Sequence, residues 1–558
     1  MQTRHVAFTF TVLAFPATLF AQASGAGADT LDRAVDRVFE AWQSTAGPGC
    51  ALGVSRNGRL VYEKGYGMGN LETGTAISAA SIFHVASVSK QFTAAAIMLL
   101  ARDGKLSLDD DIRKYVPEVP DYGTRITIRH LLTHTSGLRD QWALLALARG
   151  RFEENRITEA DVLDVVSRQK ALNFAPGAEY LYSNTGYTLA AVIVKRVSGK
   201  SLRDFADERI FRPLGMARTH FHDDYTMVVR GRTSAYARRG GEWHVSIPNY
   251  DTYGATSLFT TVGDLLKWEA NFDAPVVGDR AMFDRMQTSG RLSGGESTGY
   301  GLGLVVTRYR DARIVEHNGA DAGYRTIVGR FPDHGLAYAV LCNAATANPT
   351  ALARGVADVY LAAALTPRSA PVALQGVAVA PGVLARRAGV YVQPTTLQVT
   401  ELVMRGDKLY LGRQGNAALV AIAENRFRVT GQPFELVFYD GTPTRMERRP
   451  LDGGQTLLFE GRAPLVLAPQ ALAAYAGEYY SEELRSTYRV VAYDSLLTFG
   501  TGTSEPVDAR PVYADAFVGG GYTIQFTRGG REITGFEVTN GRMRRVKFER
   551  VRVGRPDR

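Results

Sequence analysis

A hydroxyl nucleophile and an amine stand three residues apart in Ser87-Val88-Ser89-Lys90, within HVASVSKQFTAAAIMLLARDGKL. Residues i and i+3 share a helix face, so Lys90 can reach Ser87 and help remove its proton. A serine at a helix start also gains from free backbone N–H groups and the positive end of the dipole. Such a pair is the start of a serine acyl-transfer site. Alone it is a weak signal, because a second copy occurs at Ser167-Arg168-Gln169-Lys170. That copy falls late in the apolar-periodic run ITEADVLDVVSRQKALNF, away from a helix start, and reads as a solvated helix face.

Two further elements carry chemistry. Tyr182-Ser183-Asn184 ends PGAEYLYSN, a loop ahead of the apolar helix TGYTLAAVIVKRVSG, and His317-Asn318-Gly319 stands at the end of the strand-like run ARIVEH. A phenol on a loop can shuttle a proton, and an amide two residues on can hold a substrate carbonyl. A glycine after a strand allows a substrate backbone to approach closely.

In this order the three elements resemble those of the penicillin-recognising serine hydrolases of the class C β-lactamase type. The resemblance extends to ITIRHLLTHTSGL at 126–138, YGATSLFTTVGDLLKW at 253–268 and GYGLGLVV at 299–306, and covers roughly residues 30 to 365. It implies an α+β catalytic domain, an antiparallel sheet flanked by helices with a helical subdomain. It also implies roles: Ser87 as nucleophile, Lys90 as its activator, Tyr182 as proton relay to the leaving group and Asn184 as the group that orients the substrate amide. The oxyanion hole would use the N–H groups of Ser87 and Ala320, each such donor being worth about 3 kcal/mol to the transition state. Whether lysine or tyrosine is the acylation base is left open.

His317 departs from the β-lactamase pattern, which has Lys-Thr-Gly at this point. His-x-Gly is more like the DD-peptidases, D-aminopeptidases and some esterases of the same superfamily. With an ordinary pKa of about 6.5, an imidazole in place of a permanent cation predicts a rate that follows a group titrating near His317's range. His134 reads as a structural hydrogen-bonding residue in a short turn, and His84, His130, His220 and His222 form no metal-ligand spacing. No metal or cofactor is expected. Asn348 and Arg354 open the last helix of the domain, where class C relatives hold a substrate carboxylate. The spacing differs here, and Arg354 reads as a solvated helix residue.

The elements that position these groups follow from periodicity and breakers. Phe92, Ala96, Leu99 and Leu100 recur at helical spacing, and Asp103-Gly104 stops that helix. The start, MQTRHVAFTFTVLAFPATLFAQASG, has a basic residue, an apolar run and the small-x-small pattern Ala21-Gln22-Ala23, as in a cleaved secretory signal over 1–23. Its run of about 15 residues is shorter than the roughly 20 that span a bilayer. A secreted or periplasmic protein with no integral membrane segment after signal removal is expected. The chain has two cysteines, Cys50 and Cys342, each on a strand-like run. In the family's sheet the first and last strands lie antiparallel side by side, so a disulfide is compatible with an oxidising compartment, as are two buried thiols.

A chain of 558 residues exceeds one hydrophobic core. The catalytic domain is expected over 24–366. The Pro/Ala-rich TPRSAPVALQGVAVAPG then opens a tail of alternating strands and Gly turns, which repeats itself: Leu384, Gly389 and Tyr391 match Leu472, Gly477 and Tyr479 at an offset of 88, as do Leu409 and Leu497, Phe434 and Tyr522, Phe438 and Phe526. A constant offset means duplication. The two copies, 367–463 with the linker and 464–558, are expected to close as small antiparallel β-barrels. This arrangement is most like D-aminopeptidase.

The formal charge of +9 is concentrated at the end, where Arg542–Arg558 holds eight basic and two acidic residues. The alternation Arg545-Val546-Lys547-Phe548 reads as a strand with a charged outer face, with contact to anionic envelope polymers as the functional alternative. Nucleic acid is not expected as a partner of an exported protein. The sequence therefore points to an exported serine hydrolase acting on small peptides, amides or D-amino-acid-containing substrates. The alternatives are an esterase or lactone hydrolase, a weak β-lactamase, or a non-catalytic binder of envelope peptides or β-lactams.

Overall fold

The computed structural model describes residues 25–150, 155–367, 374–415, 417–451, 455–502 and 505–552. The expected signal segment and part of the linker lie outside the described residues. Six strands, β1 (Cys50–Arg56), β2 (Arg59–Tyr66), β3 (Val305–Tyr309), β4 (Ala312–Asp321), β5 (Tyr324–Phe331) and β6 (Leu336–Cys342), form an antiparallel sheet in the order β3-β4-β5-β6-β1-β2. The principal helices are α1 (Gly25–Val38), α2 (Lys90–Arg102), α3 (Gln141–Arg149), α4 (Asn184–Ser198), α5 (Val262–Asn271) and α6 (Pro349–Tyr360).

Alternation along β1 divides its side chains between two layers. Cys50, Leu52 and Val54 join Val35 of α1 and Ala353 and Val356 of α6 in one core. Gly53 points the other way, and a Cβ there would lie 3.0 Å from Val262 and Leu266 of α5. β1 and β6 pair antiparallel with Cys50 opposite Cys342, and the two sulfurs are bonded. The resemblance left that pairing open; the register settles it. α2 and α4 are buried on nearly all sides, which explains why their sequences are apolar around most of the helix.

The tail forms two closed eight-stranded barrels, one from Gly389–Val392 to Leu457–Arg462 and one from Gly477–Ser481 to Met543–Arg550. The duplication is visible in matching details. Leu384 and Leu472 are both buried. Tyr391 donates to the Arg387 carbonyl at 3.1 Å, as Tyr479 does to that of Tyr475 at 2.7 Å.

The copies differ in what they touch. The first barrel has a hydrophobic cluster of its own, whereas the second shares one continuous cluster with the catalytic domain. Arg139, buried at this junction, donates to Glu483 at 2.5 Å, to Gln169 at 2.9 Å and to the Arg544 and Arg545 carbonyls. This corrects the solvated-face reading of Ser167–Lys170. Ser167 and Lys170 are exposed, but Gln169 is buried, and Arg168 Nε and Lys170 N both donate to Glu483. The charged outer face of the last strand holds for Arg545 and Lys547, while Arg544 is buried against the catalytic domain and pairs with Glu179.

Candidate active site

Ser87 lies on a single 3-10 turn, Ala86–Ser89, that leads directly into α2 at Lys90. Ala86 takes φ +49°, a left-handed conformation that a residue with a Cβ seldom adopts. The turn is held from several sides. Ser89 Oγ donates to the Ala86 carbonyl at 2.5 Å and accepts from Leu258 N at 3.0 Å, and Thr326 Oγ1 donates to the Val85 carbonyl at 2.9 Å.

Lys90 has no exposed surface. Its Nζ lies 3.0 Å from Ser87 Oγ, 2.9 Å from Asn184 Oδ1 and 2.6 Å from the Ala255 carbonyl. The last two oxygens only accept. They take both hydrogens of a neutral amine and leave its lone pair facing the serine hydroxyl. Burial pulls the amine down to about 7, with Asp321 and Asp140 opposing and Arg542 assisting.

Tyr182 packs with its ring centre 4.9 Å from Lys90 Nζ. Burial pushes its phenol far above the ordinary range, while the neighbouring Ser87 hydroxyl and Arg542 act the other way. His134 sets the path of this loop. Its Nδ1 accepts from Ser183 N at 3.2 Å, its carbonyl accepts from Leu181 N at 2.9 Å, and its ring lies 4.1 Å from that of Tyr182.

Asn184 is the first residue of α4, not a loop residue. Its orientation comes from Asp140, a buried carboxylate whose Oδ2 accepts from Asn184 N at 2.7 Å and from Asn184 Nδ2 at 2.8 Å. With the amide nitrogen committed to Asp140, the amide oxygen must face Lys90. Asp140 also caps α3 by accepting from Trp142 N and Ala143 N. Its capping position is recognisable in the sequence, but nothing local signals a partner 44 residues away.

The strand-like run ARIVEH, read as ending at His317, continues as β4 to Asp321. β3 pairs with β4 only as far as Glu316, so among the described residues that edge from His317 to Asp321 has no strand beside it. Gly319 lets the Ser87 turn lie against β4, since a Cβ would fall 2.3 Å from the Val85 carbonyl oxygen and 2.5 Å from Thr326 Oγ1. Ala320 follows it and is exposed. Asp321 is buried behind it, with His84 Nε2 2.9 Å away and Thr256 bonded to the same oxygen. His84 and Asp321 are 237 residues apart, and the sequence reading missed this cluster, whose carboxylate acts on the Lys90 charge.

His317 overturns the expectation of a histidine titrating near neutrality. It is buried, and burial, aided by Lys90, drops it to about 3. Nδ1 lies 2.6 Å from the Asn318 carbonyl and must donate to it, which leaves Nε2 to accept from Tyr300 at 2.8 Å. A neutral imidazole held in one tautomer results. Arg354 is also corrected: only 15% exposed, it grips both Glu316 oxygens and lies 3.0 Å from Tyr338 Oη. Asn348 caps α6 by accepting from Ala351 N at 3.0 Å.

The second barrel contributes directly. Arg542, in the turn between strands Glu532–Asn540 and Met543–Arg550, places its guanidinium 5.1 Å from the centre of the Tyr182 ring. Its carbonyl accepts from Asp140 N at 3.3 Å and Asn173 Nδ2 at 3.2 Å. Ser87, Lys90, Tyr182 and Asn184 thus converge from α2, its preceding turn, the loop entering α4 and the first residue of α4, with β4 on one side and the barrel turn on the other. No helix among the described residues is long and apolar enough to cross a membrane.

Comparison with known proteins agrees with this architecture. The Beta-lactamase family profile matches residues 34–363, and the chain belongs to that family. A D-aminopeptidase of Cereibacter sphaeroides is 26% identical over 550 residues, covering 94% of this chain and 99% of its own length. Penicillin-binding protein 4* of Bacillus subtilis is 29% identical over 296 residues, which is 50% of this chain, and the match spans only 64% of that relative. Among solved structures, the octameric penicillin-binding protein homologue from Pyrococcus abyssi shares the fold at a TM-score of 0.55 and 24% identity, over 77% of this chain and 99% of that one.

Proposed function

We propose that this protein is an exported serine hydrolase that forms an acyl-enzyme on Ser87 and cleaves small peptides or amides with a D-residue beside the scissile bond. The observation that carries the reading is the buried Lys90 amine, 3.0 Å from Ser87 Oγ and held by two acceptor-only oxygens, an arrangement that in the neutral form turns its lone pair to the serine hydroxyl. Lys90 takes the hydroxyl proton as Oγ attacks the carbonyl. The N–H groups of Ser87 and Ala320 receive the developing oxyanion. Tyr182 gives its phenolic proton to the departing nitrogen as the C–N bond breaks, and the Lys90 ammonium refills it. Water then repeats the sequence on the ester.

The D-amino-acid preference is supported by the near full-length similarity to a D-aminopeptidase. A neutral, buried His317 in place of a fixed cation weighs against efficient β-lactam hydrolysis. Export is supported by the basic and apolar start of the chain together with its paired cysteines. Intact-mass analysis of the protein quenched during turnover of an N-acyl-D-alanyl ester tests the mechanism. An adduct of the acyl mass on wild type and none on Ser87→Ala is expected. Turnover persisting in Ser87→Ala would refute it.

A further inference from the structure

We propose that Arg542 is an anion subsite that receives a carboxylate carried by the leaving group. This rests on the Ser87 hydrolase reading and narrows its substrate class, to acyl compounds whose departing part ends in a free carboxylate. The arginine is well placed. Its backbone is tied to the catalytic domain at Asp140 and Asn173, and Arg544, two residues on, is anchored to Asn173 and Glu179.

The cation itself is unspent. Among the described residues its guanidinium makes no hydrogen bond, its one ion-pair contact is Asp140 at 3.9 Å, and the side chain is 49% exposed. The Asp140 oxygen it faces already accepts two hydrogen bonds from Asn184. A planar fork of donors at a site rim suits the two oxygens of a carboxylate. The ring beneath it fixes which end of the substrate it meets. Tyr182 is the group that passes a proton to the leaving atom, so a guanidinium stacked on that ring lies within reach of substituents on the departing part. An ammonium at the same place would be repelled.

The test uses two chromogenic thioesters of N-acetyl-D-alanine that differ only in the leaving thiol, thioglycolate against thioglycolamide. The full chain, Arg542→Ala, Arg542→Lys and Ser87→Ala are compared by kcat/KM. Wild type should favour the carboxylate, and the carboxylate-to-amide ratio should fall about 10- to 100-fold in Arg542→Ala, as expected for losing a charge-assisted hydrogen bond, with part of it kept in Arg542→Lys. Raising salt to about 1 M should shrink the wild-type ratio without any variant. A ratio equal within about twofold in wild type and Arg542→Ala, or unmoved by salt, would overturn the subsite while leaving the hydrolase standing. No Ser87-dependent thiol release from either ester would overturn both.

Discussion

Lys90, not His317, should set the pH dependence of acylation. An amine taken from its ordinary 10.5 to about 7 bears a cost of about 5 kcal/mol against its charged form. At pH 7 about half of Lys90 is then a neutral base, whereas a solvated lysine would be neutral about once in 3,000 molecules. Because kcat/KM reports the free enzyme, it should rise tenfold per pH unit below about 6, bend near 7 and stay level above it. The assay is initial-rate hydrolysis of an uncharged N-acyl-D-alanyl ester between pH 5 and 9.5. Two variants move the bend in opposite directions. Arg542→Ala removes a cation that favours the neutral amine and should raise the midpoint, while Asp321→Asn removes a carboxylate that favours the ammonium and should lower it. His317→Asn should leave the midpoint in place, since a group titrating at about 3 is already neutral across this range. A midpoint near 10, or one near 6.5 that disappears with His317→Asn, would refute the reasoning.

Asp140→Ala should cut kcat/KM at least tenfold by freeing the Asn184 amide, and should lower unfolding free energy by about 1–3 kcal/mol through a lost cap and unpaired donors, read by denaturant titration. Gly319→Ala should reduce kcat by about 100- to 1,000-fold, because a Cβ 2.3 Å from the Val85 carbonyl oxygen forces β4 away from Ser87; a loss under threefold would exclude this role. Replacing both Cys50 and Cys342 with alanine should cost about 2–5 kcal/mol of stability, since the bond closes a loop spanning 292 residues. Arg139→Ala leaves the Glu483 carboxylate buried without its cation and should destabilise by about 3–5 kcal/mol, with faster proteolysis at the barrel junction.

Much of this protein is written locally. Ser87 and Lys90 at helical spacing, Tyr182 and Asn184 ahead of an apolar helix, and Gly319 after His317 identified the site elements without coordinates. The offset of 88 and the period-two runs identified two barrels, because a duplicated unit repeats its buried positions. What stayed hidden depends on burial and on partners far along the chain. His317 was expected to titrate because its residue type does so in water; packing beside Tyr300 removes the water and hence the charge. Arg354 looked solvated on its helix, and Glu316, 38 residues away on the sheet, takes it up. Asp140 and Asp321 are ordinary carboxylates in sequence, made relevant by Asn184 and by His84 and Lys90.

Residue types and their spacing marked the candidate site residues, the family fold and the duplicated tail, because short-range geometry and periodic burial are properties of neighbouring residues. Only the tertiary structure decided that Lys90 is buried with its amine pulled down to about 7, that Cys50 is bonded to Cys342, and that Arg542 of the second barrel stands over Tyr182. Desolvation and charge act through space, and their strength depends on the three-dimensional surroundings that hundreds of intervening residues create.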